Sequence, residues 1–278
     1  MKAERPEALP IAGGTDVMVE LNFDRRRPEA VLDLTRIPEL GQWTQEDGRL
    51  RVGAGVTYTQ IIAELSGQLP GLAIASRTVG SPQIRNRGTV GGNLGTASPA
   101  GDALPPLLAA EAEIEVASTG GSRSIPMREF CLGPKRSALM PAELIAAFWV
   151  RPATGPQQFA KVGTRNAMVI AVASFALDID PERRQVGTGI GSAGPTPLAA
   201  EEAERFLEGV LAEGEFWTTR AALPAAVLAR FGELVAGAAR PIDDVRGTAD
   251  YRRHALAVMA RRTLSWAWAE FRAQRQQS

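Results

Sequence analysis

From Arg85 to Asp102 the chain reads RNRGTVGGNLGTASPAGD. This run is crowded with glycines and small hydroxyl side chains and is set between well-patterned apolar segments. It does not read as packed core, because most of its side chains would bury little apolar area. The polar stretch starts at Gly80, so a connection from Gly80 to Asp102 is expected. That is long for a loop inside a compact domain, and long ordered loops commonly carry function. Any fold for this chain must give the run a purpose.

A second, shorter glycine segment lies near the start: Ile11, Ala12, Gly13, Gly14, Thr15, Asp16 and Val17. Paired glycines let backbone N–H groups turn inward and approach an anion closely. The following VMVEL can open either a strand or a helix. Neither segment has the GxGxxG spacing of a Rossmann site or the GxxxxGK[ST] pattern of a P-loop. The pair instead suggests two loops from separate parts of the chain closing on one diphosphate. Gly91 and Gly92 are expected to aim their N–H groups at its oxygens. Asp102 would repel a phosphate, so its place is at a hydroxyl or ring N–H away from it.

Composition narrows the chemistry. Cys131 is the only cysteine and His254 the only histidine among 278 residues. One thiolate cannot hold an iron–sulfur cluster, and structural zinc needs several ligands. A Ser-His-Asp or Cys-His mechanism would have to use His254, in the basic stretch YRRHALAVMARR. Both residues read as packing residues, and an organic cofactor is the remaining source of chemistry. Lys plus Arg and Asp plus Glu both total 31, which argues against nucleic-acid or membrane-surface binding driven by bulk charge. No apolar run reaches transmembrane length, and the N-terminus lacks a signal-peptide core. The expected compartment is the cytoplasm.

The pattern predicts an α+β chain in two parts. Strands are expected at Ala30–Leu34, Leu50–Val56, Glu113–Ser118 and Ile145–Val150. Helices are expected after Thr57, over Gly71–Val79 and after Asp102. Pro152 to Gln158 reads as a linker, dividing residues 1–155 from 156–278. Beyond it FAKVG, VIAVASFALDI and VGTGIGSA read as three antiparallel strands. Three helices follow, the last from about Asp250 to Arg275.

AGGTDVMVELN, QIRNRGTVGGNLGTASPAGD, FAKVGTRNAMVIAVASFAL and DDVRGTADYRRHALAVMARRTL occur in that order. Together they resemble the FAD-binding subunits of molybdenum hydroxylases, in particular the bacterial xanthine dehydrogenase FAD-binding subunit and the carbon monoxide dehydrogenase medium subunit. The likeness runs from Leu9 to Arg272. It implies a vanillyl-alcohol-oxidase or PCMH-type FAD-binding domain over 1–155. A small α+β domain of the CO-dehydrogenase-flavoprotein C-terminal type would follow over 156–278. It places the FAD-diphosphate roles on Ile11 to Val17 and on Thr89, Val90, Gly91, Gly92 and Asn93. The family's aspartate falls on Asp102, and its lysine, in FxKxxxR, on Lys161. Val79 and Ile145 match apolar contacts, and Thr96 and Ser98 are candidate hydroxyl donors.

The resemblance further implies an electron-transfer subunit, FAD-dependent and without a catalytic acid or base of its own. Electrons would arrive from 2Fe–2S clusters in a small subunit served by a molybdopterin-binding large subunit, and leave to NAD+ or another acceptor. The assembly would be a dimer of heterotrimers. No histidine precedes His254, so FAD attachment is expected to be non-covalent. The family begins with a further strand and helix, whereas eleven residues precede Ala12, so that piece is expected to be short or missing. The alternative is a non-catalytic scaffold subunit that has lost FAD.

Overall fold

The computed structural model describes residues 2–274. The first part contains β1 (Leu9–Ile11), α1 (Val17–Asn22), β2 (Val31–Asp33), β3 (Trp43–Glu46), β4 (Arg49–Gly53), α2 (Tyr58–Glu64) and α3 (Pro70–Thr78). It continues through α4 (Pro82–Arg87), α5 (Val90–Thr96), α6 (Leu104–Ala109), β5 (Glu113–Ser118), β6 (Gly121–Pro126), α7 (Met127–Phe130), β7 (Cys131–Gly133), β8 (Arg136–Ser137) and β9 (Leu144–Val150). The second part contains β10 (Gln157–Val162), β11 (Ala173–Asp180), β12 (Gln185–Gly191), α8 (Glu201–Glu213), α9 (Phe216–Thr219), α10 (Ala225–Ala238) and α11 (Ala249–Ala273). The expected end of the last helix at Arg275 lies outside the described residues.

The main N-terminal sheet has the order β3-β4-β9-β5-β6, with every neighbouring pair antiparallel. Its strands alternate. Leu50, Val52, Ile114, Val116, Phe148 and Val150 point into one core, and each large side chain buried there contributes about 1.5–3 kcal/mol. The other face is polar and paired across strands. Arg51 donates twice to Glu115, both at 2.8 Å, and Trp149 Nε1 donates to the same carboxylate at 2.7 Å. One buried face and one laddered face are what an antiparallel sheet of this alternation requires.

The second sheet, β10-β11-β12, is covered on both sides. Helices α10 and α11 supply one core through Phe231, Val235, Leu256, Ala260 and Leu264. Helices α3 and α6 of the first part cover the other face. Hence β11 is almost continuously buried rather than alternating between buried and exposed. The contact with α6 is backbone to backbone. A β-carbon at Gly187 would lie 1.9 Å from Ala109 O, and one at Gly189 would lie 2.0 Å from Pro105 O. Gly189, Gly191 and Gly194 happen to have GxGxxG spacing. No helix opens directly after them, since α8 starts at Glu201, so here the spacing serves packing.

The expected loop from Gly80 to Asp102 is corrected by the structure. Ser81 and Thr89 each accept a backbone N–H three residues on and cap α4 and α5. Each glycine costs about 1 kcal/mol of helix propensity, so composition hid α5. Gly91 is there because a β-carbon would fall 2.4 Å from the Ala54 carbonyl oxygen. Strand β6 and the β7–β8 hairpin were not anticipated. Their strands lack the apolar alternation that marks a half-buried strand.

Candidate functional site

The two glycine segments meet. A β-carbon at Gly13 would lie 1.8 Å from Arg87 O, so the backbone of the first segment rests directly on the α4–α5 junction. Thr96 Oγ1 donates to Asp16 Oδ2 at 3.2 Å from the other end of α5. Behind them Lys135 N donates to Ala97 O at 3.0 Å, and Lys135 Nζ pairs with Glu20 on α1 at 2.5 Å. VMVEL opens a helix, tied by this ion pair to the β7–β8 turn, which also bonds Ala97 of the second segment.

The distribution of free donors differs from expectation. Gly91 N donates to Ala54 O at 3.1 Å, and Gly92 N donates to Thr89 Oγ1 at 2.9 Å. Neither N–H is left to meet a ligand oxygen, because both are consumed in seating and capping α5. The N–H groups of Gly13, Gly14, Thr15 and Asp16, by contrast, have no acceptor among the described residues. Gly14, at φ +76°, makes the turn that exposes them.

A second group of candidates gathers at the end of the long segment. Asp102 and Lys161 form an ion pair of 2.6 Å with side chains 9% and 7% exposed. Thr78 Oγ1 donates to Asp102 at 3.4 Å, and Lys161 Nζ donates to Thr78 O at the same distance. Burial pushes the Asp102 carboxyl above its ordinary range, and the neighbouring Lys161 ammonium pulls it back. Asp102 Oδ1 is buried with no partner, and such an acceptor is costly unless a ligand donor reaches it.

Asn93 joins the two groups. Its Oδ1 accepts from Ala103 N at 3.3 Å, so α5 touches the residue after Asp102. Val79 follows Thr78 directly, and its carbonyl accepts from Arg85 at 3.1 Å. Ile145 lies beside α5, 3.7 Å from where a β-carbon at Gly95 would sit. Ser98 folds its hydroxyl back onto Ala100 N at 3.3 Å. Sequence reasoning missed Thr78 and Lys135, which pin the site from outside its motifs, and gave Arg85 no role. Only Arg85, in the RNR that opens the second segment, carried a local signal.

These residues fit a flavin dinucleotide. Free backbone donors on a glycine turn suit a diphosphate. A buried, unpartnered carboxylate oxygen backed by lysine suits a hydroxyl or ring N–H. Elsewhere, a cleft of about 290 Å³ lies at the other end of α6, between the two sheets. None of the predicted site residues lines it.

Residues 1–151 match the family described as the FAD binding domain in molybdopterin dehydrogenase, and residues 158–267 match the CO dehydrogenase flavoprotein C-terminal domain. The xanthine dehydrogenase FAD-binding subunit of Escherichia coli O157:H7 is 30% identical over 277 residues, 96% of this chain and 91% of that protein. The nicotinate dehydrogenase FAD-subunit of Eubacterium barkeri is 33% identical over 73% of this chain and 72% of its own. The solved carbon monoxide dehydrogenase of Hydrogenophaga pseudoflava superposes with a TM-score of 0.86 at 28% identity, covering 95% of this chain and 91% of that one.

Proposed function

The chain belongs to the family of FAD-binding domains of molybdopterin dehydrogenases, and from that premise we propose that it is the electron-transfer subunit of a xanthine dehydrogenase-type molybdenum hydroxylase. The observation that carries this reading is the convergence of two features: the free N–H groups of Gly13 to Asp16, and the buried Asp102–Lys161 pair with its unpartnered oxygen. When bound, FAD supplies one- and two-electron redox chemistry.

The residues of the chain bind and orient. Ile11 to Val17 would hold the diphosphate, with the free N–H groups of Gly13 to Asp16 as donors. Thr89 to Asn93 form the platform under it, holding Gly13 in place through α4 and α5. Thr96 and Ser98 offer hydroxyls, and Val79 and Ile145 offer apolar surface. Asp102, held by Lys161 and Thr78, accepts from a hydroxyl or ring N–H, away from the phosphates. No side chain here needs to act as a general acid or base.

The single cysteine, Cys131, is half-buried and its thiol is pushed up to about 11 by that burial. One such residue cannot ligate a cluster, so 2Fe–2S centres belong to a small partner subunit and molybdopterin to a large one. Electrons pass from those clusters to NAD+ or another acceptor, in a dimer of heterotrimers.

The purified complex is expected to be yellow and to release free FAD on acid precipitation. Flavin remaining in the washed precipitate would overturn non-covalent binding. A chain that takes up no flavin, or never co-elutes with an iron–sulfur and a molybdopterin subunit when co-expressed, would overturn the reading.

A further inference from the structure

Helix α11 begins at the Thr248 cap, and its first turn buries a guanidinium. Arg252 is 3% exposed. Its Nη1 donates to Val172 O at 2.9 Å and to Ser192 O at 2.5 Å, and its Nη2 donates to Asp244 Oδ1 at 2.6 Å. Val172 immediately precedes β11 and Ser192 immediately follows β12, so one side chain clips two strand ends together. Only a planar fork of donors can reach two carbonyls and a carboxylate at once; an ammonium presents its donors from a single point.

Both clipped ends lead to the Asp102–Lys161 pair. On one side, Val172 N donates to Val162 O at 2.8 Å, and Val162 adjoins Lys161. Lys161, Ser174 and Gly191 lie in register across the sheet, one row from the clip. On the other side, Ser192 stands at φ +59° and turns its N–H to Pro99 O at 2.8 Å. Pro99 lies three residues before Asp102 in the long segment. The buried face of α11 beyond this turn, through Leu256, Met259, Ala260 and Leu264, is apolar and makes no use of the guanidinium.

We propose that Arg252 is a positioning residue for the flavin site, holding the loop that carries Asp102 and the strand that carries Lys161 in mutual register. This rests on the flavin reading above. Its consequence is that a residue at the head of the last helix sets flavin affinity and potential without touching the cofactor.

The test uses the full chain, loaded with FAD, as wild type and as Arg252→Gln, Arg252→Lys and Asp244→Asn. Far-ultraviolet circular dichroism controls for folding. Arg252→Gln is expected to weaken FAD binding about tenfold or more, corresponding to one lost charge-assisted hydrogen bond. At saturating FAD it should also shift the midpoint potential and the visible circular dichroism of the flavin, and speed exchange of the Ser192 amide. Arg252→Lys should fall between it and wild type. A general loss of stability would not move the potential or the visible spectrum of a saturated flavin. If Arg252→Gln does not fold, Asp244→Asn, at a partly exposed carboxylate, is expected to give the same shifts at smaller size. A folded variant with wild-type affinity, potential, spectrum and Ser192 exchange overturns the inference. A wild-type chain that binds no FAD instead overturns the reading on which it rests.

Discussion

Lys161 and Asp102 pair at 2.6 Å across 59 residues, joining the second sheet to the end of the glycine-rich segment with both side chains almost wholly buried. Removing one partner from such a pair leaves an uncompensated charge, which costs far more than the pair itself contributes. Lys161→Met is therefore expected to destabilise the chain by about 3–5 kcal/mol at neutral pH. Adding Asp102→Leu should restore much of that loss, a strong coupling in a double-mutant cycle. Urea unfolding reads all four proteins, and additive effects would show that the pair carries no coupling.

The two adjacent glycines of α5 should separate cleanly. At Gly91 a β-carbon meets the Ala54 backbone at 2.4 Å, so Gly91→Ala is expected to cost about 1–3 kcal/mol and to loosen α5. At Gly92 the added carbon meets only the Thr89 hydroxyl, at 3.0 Å, and the backbone is helical. Gly92→Ala should therefore fold with little change, or gain up to about 1 kcal/mol of helix propensity. If the exposed face of Gly92 lies against the flavin, that same variant should lose flavin occupancy severalfold while remaining stable. Full occupancy in Gly92→Ala would remove Gly92 from the site.

What the sequence made legible follows from which interactions are local. The alternation of β4, β5 and β9 and the apolar spacing of the later helices report burial directly, and these elements stood where periodicity placed them. The candidate site was proposed from the glycine pairs, which have few structural uses, and from the family resemblance, which alone singled out Lys161. Helices α4 and α5 were not legible, because Gly91 is demanded by Ala54, far away in sequence. The assignment of N–H donors failed for the same reason: capping by Thr89 and contact with Ala54 are tertiary facts. Thr78 contributes its hydroxyl and its carbonyl oxygen, and Lys135 its backbone N–H and its ammonium, and nothing near them in sequence says so.

Stability should depend on pH through the seam between the two parts. Asp178 on β11 accepts from Gln157 Nε2 at 2.9 Å, and Gln157 Oε1 in turn accepts from Gly71 N of α3 at 3.2 Å. Burial pushes the Asp178 carboxyl up to about 7, above the ordinary value of about 3.9 for an unfolded chain. Between those values the folded chain binds more protons than the unfolded one, so this contribution is complete below about pH 4 and is lost as pH rises through about 7. Asp178→Asn keeps an acceptor for Gln157 and removes the titration. Its stability relative to wild type is expected to rise by about 1–2 kcal/mol between pH 5 and 8, after allowance for solvent screening at a half-buried site. A flat difference between the two unfolding curves across that range would refute the assignment.

The contact of α6 with β12 offers the sharpest test of how the seam serves the site. Pro105 O occupies the space a side chain at Gly189 would need, 2.0 Å from the added carbon, so the backbones must move apart. Gly189→Ala must therefore push α6 away from β12 and is expected to cost about 3 kcal/mol, at the upper end for an overpacked core. Asp102 lies two residues before Leu104, where α6 begins, so its carboxylate should move with the helix while Lys161, on β10, stays with the sheet. The variant is thus expected to lose FAD affinity well beyond what its stability loss explains, measured at a temperature where circular dichroism shows it folded. Gly237 on α10 has open space around its β-position and lies outside the seam, so Gly237→Ala serves as the control: it should leave FAD affinity unchanged and not lower stability, gaining at most about 1 kcal/mol of helix propensity. If Gly189→Ala is as stable and as flavin-rich as that control, the α6–β12 contact is not what holds Asp102 against Lys161.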